Sequence, residues 1–372
     1  MSYRKINDVK LEGKDKEKLM NVGFNPDENE RSGSFTLIND QEINVGIKTK
    51  GVELLSISQA IKKYPEIEKK YLWKLVNKDK DDFTREAAES KLAGYFIKVH
   101  KGHKAVLPLQ ACFFIKAERF KQMVHNLIIM EEDSSLNIIN GCATADYVNS
   151  GVHVGVTEIF LEKNSYLSYT MIHDWSDEVE VRPRTGIEVD ENSTFISNYI
   201  SIKRSKITQS YPTCKLKGKD SRAVFNSLIY APKKSIYDIG AKVLLEGENS
   251  RAEVISRTIS GGGDVIARGE LVGLRKDIKA HLECDGMLLN NEGEIRAIPI
   301  LTAKHPDVDM SHEASVGKIA EEEIFYLTSR GISEDQAVSL IVKGFLDTKI
   351  LGLPQYLEKE VQKTIALLEN SL

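Results

Sequence analysis

The sequence predicts a mainly β protein, with a parallel β-helix over residues 93–304 between a helical N-terminal region, 1–92, and a helical C-terminal domain, 305–372. Three observations carry this. The texture changes near residue 93 from helical spacing to alternation, as in Tyr95-Phe96-Ile97-Lys98-Val99-His100. An Asx-Ser pair then recurs at Asp133-Ser134, Asn164-Ser165, Asn192-Ser193, Asp220-Ser221 and Asn249-Ser250, at intervals of 31, 28, 28 and 29 residues. After Pro299-Ile300-Leu301 the pattern turns helical again.

In chain order, Met1 to Gly33 is charged and turn-rich, with a short helix expected around Leu19-Met20. Residues Ser56 to Leu75 place Ile57, Ile61, Tyr64, Ile67, Tyr71, Leu72 and Leu75 close to three-and-four spacing, and Phe83 to Leu92 adds a further turn or two. In the repeat region each Asx-Ser pair follows an apolar residue three or four positions earlier (Met130, Leu161, Val189, Leu216, Leu245) and leads into an alternating stretch such as Arg222-Ala223-Val224-Phe225. A degenerate sixth copy falls at Asp277-Ile278.

The unit reads as strand, tight corner, strand. Asn and Asp suit the corner because their side chains bond the local backbone and tolerate left-handed dihedrals. A stacked solenoid demands near-constant coil length, since each coil pairs with the one below. An antiparallel sandwich or barrel with coincident turn spacing is the alternative.

Beyond the repeats, Val316 to Thr328 reads as a helix with Glu321-Glu322-Glu323 in its early turns, where the helix dipole favours acid. Gly331 supplies a stop, and Ser333-Glu334-Asp335-Gln336 forms a capping box opening the next helix. A last helix is expected from Pro354 to about Leu368.

Composition narrows the function classes. The chain has 372 residues, 41% hydrophobic and 28% charged, with a net charge of −4. It is apolar enough for a large core, and its charge gives no general reason to bind nucleic acid or an anionic membrane. No apolar run approaches the roughly 20 residues of a membrane helix, and the first residues hold no apolar leader core, so a cytoplasmic protein is expected. The four cysteines, Cys112, Cys142, Cys214 and Cys284, are widely spaced, without a Cys-x-x-Cys pair. Phosphate-loop, dinucleotide, His-Glu-x-x-His and Gly-x-Ser-x-Gly signatures are all missing.

Two clusters remain. In Leu282-Glu283-Cys284-Asp285-Gly286-Met287, a strand puts Ile278, Ala280, Leu282 and Cys284 on one face and His281, Glu283 and Asp285 on the other. Cys284 is then either an inert core cysteine or a functional thiol. In Ser311-His312-Glu313-Ala314-Ser315, at the joint between solenoid and helices, the His-Glu pair is either a structural contact or part of a ligand set.

Taken in order, Glu-Cys-Asp-Gly-Met-Leu-Leu (283 to 289), Ser-His-Glu-Ala-Ser-Val-Gly-Lys-Ile (311 to 319) and Ile-Phe-Tyr-Leu-Thr-Ser-Arg-Gly-Ile-Ser-Glu-Asp-Gln-Ala (324 to 337) closely resemble the SufB/SufD family of iron-sulfur cluster assembly scaffolds. The likeness extends weakly through Ser210 to Cys214 and Asn140-Gly141-Cys142. It implies a right-handed parallel β-helix between helical terminal domains, the C-terminal one docking the ABC-type ATPase SufC, which hydrolyses the ATP. This chain is accordingly expected to be a scaffold and not an enzyme.

The resemblance further implies that Cys284 and Glu313, with His312, form the site that assembles and binds a transient iron-sulfur cluster, and that Cys142 and Trp175 lie near an internal sulfur route. Expected partners are a SufC-like ABC ATPase, a second copy in a homodimer or a SufB-SufD-type heterodimer, a sulfur donor and acceptor apo-proteins. Coexistence of Cys284, His312 and Glu313 looks more like SufB than SufD, whose second motif usually has no glutamate after the histidine. No cysteine precedes Cys112, so the N-terminal cysteine motif of many long SufB proteins has no counterpart and the likeness is to a minimal SufB. A SufD-like structural subunit that aids iron entry without holding a cluster is the alternative.

Overall fold

A computed structural model describes residues 13–201 and 203–346. The helix expected from Pro354 to Leu368 lies outside them. The N-terminal part carries α1 (Gly13–Asn21), β1 (Gly33–Ile38), β2 (Gln41–Ile47), β3 (Val52–Ser56), α2 (Ile57–Lys63), α3 (Glu66–Lys70) and α4 (Asp82–Glu89). Then follow β4 (Tyr95–Val99), β5 (Leu109–Ile115), β6 (Phe120–Met130), β7 (Ser135–Thr144), β8 (Ser150–Leu161), β9 (Tyr166–Asp174), β10 (Glu178–Val181), β11 (Arg184–Val189) and β12 (Thr194–Ser201). The second half holds β13 (Ile207–Ser210), β14 (Thr213–Leu216), β15 (Arg222–Pro232), β16 (Ile236–Leu245), β17 (Arg251–Gly261), β18 (Asp264–Gly273), β19 (Ile278–Leu288), β20 (Glu294–Ala303) and β21 (Val308–Lys318), then α5 (Glu321–Thr328) and α6 (Glu334–Phe345).

These strands form a β-solenoid of about 8 turns. One sheet runs β2-β1-β5-β7-β9-β12-β15-β17-β19-β21, and the other runs β10-β13-β16-β14-β11-β8-β6-β4-β3, with β18 and β20 continuing from β16. Pairing between strands is parallel except at β1–β2 and β3–β4.

The corners explain the repeat. Asp133, Asn164, Asn192, Asp220, Asn249 and Asp277 all adopt left-handed φ, between 54° and 60°. Asn and Asp accept this conformation at lower cost than other side-chain-bearing residues. The corners also bond one another: Asn164 Nδ2 donates to Asp133 Oδ1 and Asn192 Nδ2 to Asn164 Oδ1, both at 2.9 Å, and Asn249 donates to Asp220. The following serines, Ser134, Ser165, Ser193, Ser221 and Ser250, are buried under the corner. Period and residue type thus have one cause, a stacked polar ladder.

Three expectations are corrected. The region 1–92 is not purely helical, because Ser34-Phe35-Thr36-Leu37 alternates and joins β2 through a turn at Asn39, whose φ is 53°. β1 pairs in parallel with β5 and so starts the first sheet. The long helix expected over Ser56 to Leu75 is two short ones, α2 and α3, separated at Tyr64-Pro65 because proline cannot donate a helical hydrogen bond. The solenoid does not stop at 304: Val308 to Lys318 pairs with β19 along its whole length, and the helix expected from Val316 begins at Glu321. Cross-strand pairing outweighs local propensity there.

The terminal helices cover the first sheet. α1 brings Val22 against Gly141, where a Cβ would lie 2.6 Å from Val22 Cγ2, so the close approach requires glycine. Lys18 of α1 pairs with the buried Asp174 at 2.8 Å. On α6, Ser333 and Gln336 form the expected capping box, and Val342 and Leu346 join the solenoid's apolar cluster. Among the described residues no helix is long and apolar enough to cross a membrane.

Candidate cluster-assembly site

The site is built by the last two strands of the first sheet. β19 alternates as the sequence predicts: Ile278, Ala280, Leu282 and Cys284 are buried, while Lys279, His281, Glu283 and Asp285 are more open. Cys284 is 2% exposed. Burial, with the neighbouring carboxylates of Asp285 and Glu283, pushes its thiol up to about 11. A thiol so held is mostly protonated near neutral pH and a poor nucleophile until its surroundings change.

His312 and Glu313 lie on β21, an exposed edge strand rather than a joint. The register pairs Leu282 with His312, Glu283 with Glu313 and Cys284 with Ala314. His312 therefore shares the face of Cys284, diagonally across the ladder at about 7–8 Å between Cα atoms. Glu313 takes the opposite face, stacked on Glu283. Within one chain the structure brings Cys284 and His312 to one side and Glu313 to the other. No group of three or more His, Cys, Asp or Glu side chains among the described residues converges as a metal-ion ligand set.

Sequence reasoning missed the groups behind β19. Arg257, on β17, sets Nη2 3.5 Å from Glu283 Oε1 and donates from Nη1 to Phe345 O at 3.1 Å. Thr258 Oγ1 donates to Asp285 O at 3.3 Å. Burial and the adjacent Asp285 carboxylate raise the Glu283 carboxyl above its usual range, and Arg257 opposes the shift. Only the 28-residue period, which sets Arg257 beside Asp285, could have flagged it.

The Cys142 and Trp175 expectations fall deeper in the solenoid. Cys142 pairs in register with His173, whose ring packs edge-on against Trp175 at 5.6 Å. Asn140 Nδ2 donates to Cys142 Sγ at 3.2 Å. Burial raises the Cys142 thiol and holds the His153 and His173 imidazoles down at about 3, so both rings are neutral. Tyr199 Oη lies 3.0 Å from His173 Nδ1.

One file of side chains on a single face connects the two cysteine regions. Cys284 pairs with Ser256, Ser256 with Ser227, Ser227 with Tyr199, Tyr199 with Met171, and Met171 with Asn140 beside Cys142. A cavity of about 30 Å³ lies along it, lined by Met171, Tyr199, Ser227 and Ser256 among others. Five strand spacings separate Cys142 from the strand of Cys284, roughly 24 Å. Direct contact between the thiols is excluded.

The fold and site define a parallel β-solenoid with a thiol buried one strand inside the last strand of its first sheet. Comparison with known proteins is specific. The family model for the SUF system FeS cluster assembly, SufBD core domain, matches residues 113–345. The chain is 48% identical over 360 residues to an iron-sulfur cluster assembly SufBD family protein of Archaeoglobus fulgidus, covering 97% of this chain and 96% of the relative. A relative of the same description from Methanothermobacter thermautotrophicus is 44% identical over 354 residues, covering 94% and 86%. One from Staphylococcus haemolyticus is 33% identical over 324 residues, covering 86% and 69%. This chain belongs to the SufBD family, and its role lies in iron-sulfur cluster assembly.

Proposed function

We propose that this chain is a SufB-like cytoplasmic scaffold, without catalytic activity of its own, that assembles a transient iron-sulfur cluster as cargo at the open end of its solenoid. The observation that carries the reading is Cys284, buried on β19 one strand inside an edge that displays His312 and Glu313. A stably held cluster generally takes four thiolates. One thiol with harder donors on two faces of an edge strand suits a site completed by a partner and readily emptied.

Two features support a second solenoid as that partner. Among the described residues β21 is the last strand of the first sheet and pairs only with β19, so its outer edge is a template for another strand. Val316 on β21 and Ile298 and Ile300 on β20 are 41–43% exposed. A homodimer or a SufB-SufD-type heterodimer would cover both and bring two Cys284-His312-Glu313 sets together. A SufC-like ABC ATPase is the proposed partner of the C-terminal helices, where Phe325, Tyr326 and Leu340 are exposed. A sulfur donor would deliver at the Cys142 and Trp175 region, and the finished cluster would pass from Cys284 to acceptor apo-proteins.

One observation favours a SufD-like structural role instead: Glu313 stands on the face opposite Cys284. Anaerobic co-purification with SufC, then iron and sulfide reconstitution with visible absorption and Mössbauer spectra, decides between the two. A cluster in the wild type that is lost in Cys284→Ser upholds the SufB-like reading. No cluster in either, from an intact complex with SufC, moves the assignment to the SufD-like role.

A further inference from the structure

The Arg257 guanidinium touches two elements that are far apart in sequence. Its Nη1 donates to Phe345 O at the end of α6, and its Nη2 faces Glu283 Oε1, one residue before Cys284 on β19. The side chain is only 14% exposed and is enclosed between helix and sheet. A charged group buried to that degree stays where its partners hold it. Two of the four backbone carbonyls that end a helix here meet different partners: Phe345 O takes the guanidinium, while Val342 O accepts the amide of Leu346.

We infer that Arg257 is a positioning residue, a latch that ties the end of α6 to the strand carrying Cys284 and keeps the thiol closed. The inference rests on the reading of Cys284 as the assembly thiol. A guanidinium suits the task because its planar fork presents separate N–H groups, Nη1 and Nη2, to the two acceptors in a fixed geometry. Movement of α6 away from the first sheet withdraws Phe345 O, releases Arg257 from Glu283 and loosens β19 at its exposed side. β19 is open to such loosening because its other neighbour, β21, is an edge strand. Effects on the C-terminal helices thereby reach Cys284 through one side chain.

The test is alkylation of the full-length reduced chain with iodoacetamide at fixed pH, followed residue by residue by peptide mass mapping. Arg257→Met retains much of the apolar stem and removes both bonds. Cys284 should then react at least tenfold faster than in the wild type, with Cys112, Cys142 and Cys214 unchanged. Arg257→Lys, the milder variant should the first fail to fold, should react at an intermediate rate.

Electrostatics alone predicts the reverse, since losing a positive charge near a thiol disfavours the thiolate and slows alkylation. An unchanged Cys284 rate, or a rise shared by all four cysteines as in general destabilisation, overturns the latch. A parallel arm adds SufC with ATP to the wild type and reads the functional proposal separately. Faster alkylation of Cys284 there upholds the ATPase partnership, and no change removes it, while the substitutions alone judge the latch.

Discussion

Glu313 stands in register with Glu283, two like charges on neighbouring strands of one face, while Cys284 faces the other way beside His312. Like charges directly opposite in a ladder are destabilising. The chain holds this pair at its last rung, where a partner's cation would relieve it.

Glu313→Gln should therefore raise the stability of the isolated chain slightly, by roughly 0.2–1 kcal/mol, while lowering cluster yield in the complex. Urea midpoints and reconstituted iron content measure the two effects. A loss of both would make Glu313 a structural residue.

Cys284→Ser should cost less than about 1.5 kcal/mol, because the Ser256 hydroxyl, without a hydrogen-bond partner among the described residues, lies at the same register position one strand away and can bond the new one. Chemical denaturation gives the value. A small cost ensures that a lost cluster reports chemistry and not unfolding.

The raised Cys284 thiol fixes a pH dependence. In the folded chain its thiolate fraction should climb about tenfold per pH unit and level off only near 11, later than an exposed thiol. The sign for stability follows: the folded state keeps the proton longer than the unfolded one, so this group's contribution is full below the unfolded value and is lost as pH rises towards 11. Alkylation rates from pH 7 to 10.5 measure the first part.

Glu158, fully buried, accepts the backbone amides of Trp73, Lys74, Leu75 and Val76 and meets His125 Nε2 at 2.8 Å. Glu158→Ala should cost about 3 kcal/mol or more, since several buried donors lose a charged acceptor together. Hydrogen exchange should show residues 73–76 losing protection first.

At the corners, Asn192→Ala should cost about 1–2 kcal/mol, combining left-handed strain with loss of the bond to Asn164. Asn192→Gly should cost less, because glycine accepts the dihedral and loses only the ladder bond. Thermal melting orders the three chains.

The solenoid and its six corners were legible because one local requirement, a left-handed Asx under a stacked neighbour, recurs at fixed spacing. The face of Cys284 followed from parity alone. Residues 308–318 were misread as a joint because a strand at an open end shows no buried alternation: Ser311 to Lys318 are all exposed. Arg257 was invisible for a different reason. Its partners Glu283 and Phe345 are 26 and 88 residues away, and only the packing of α6 on the sheet defines the contact.

The near-constant repeat gives the solenoid the properties of a ruler. Each 28-residue coil adds one strand spacing, about 4.8 Å, along the axis. Residues 193–220 make up one complete repeat from corner to corner, so excising them leaves the neighbouring corners stacked and turns no side chain over. The gap between Cys142 and Cys284 would shorten by one strand spacing, so any coupling between the two cysteine regions can be calibrated against distance by counting coils.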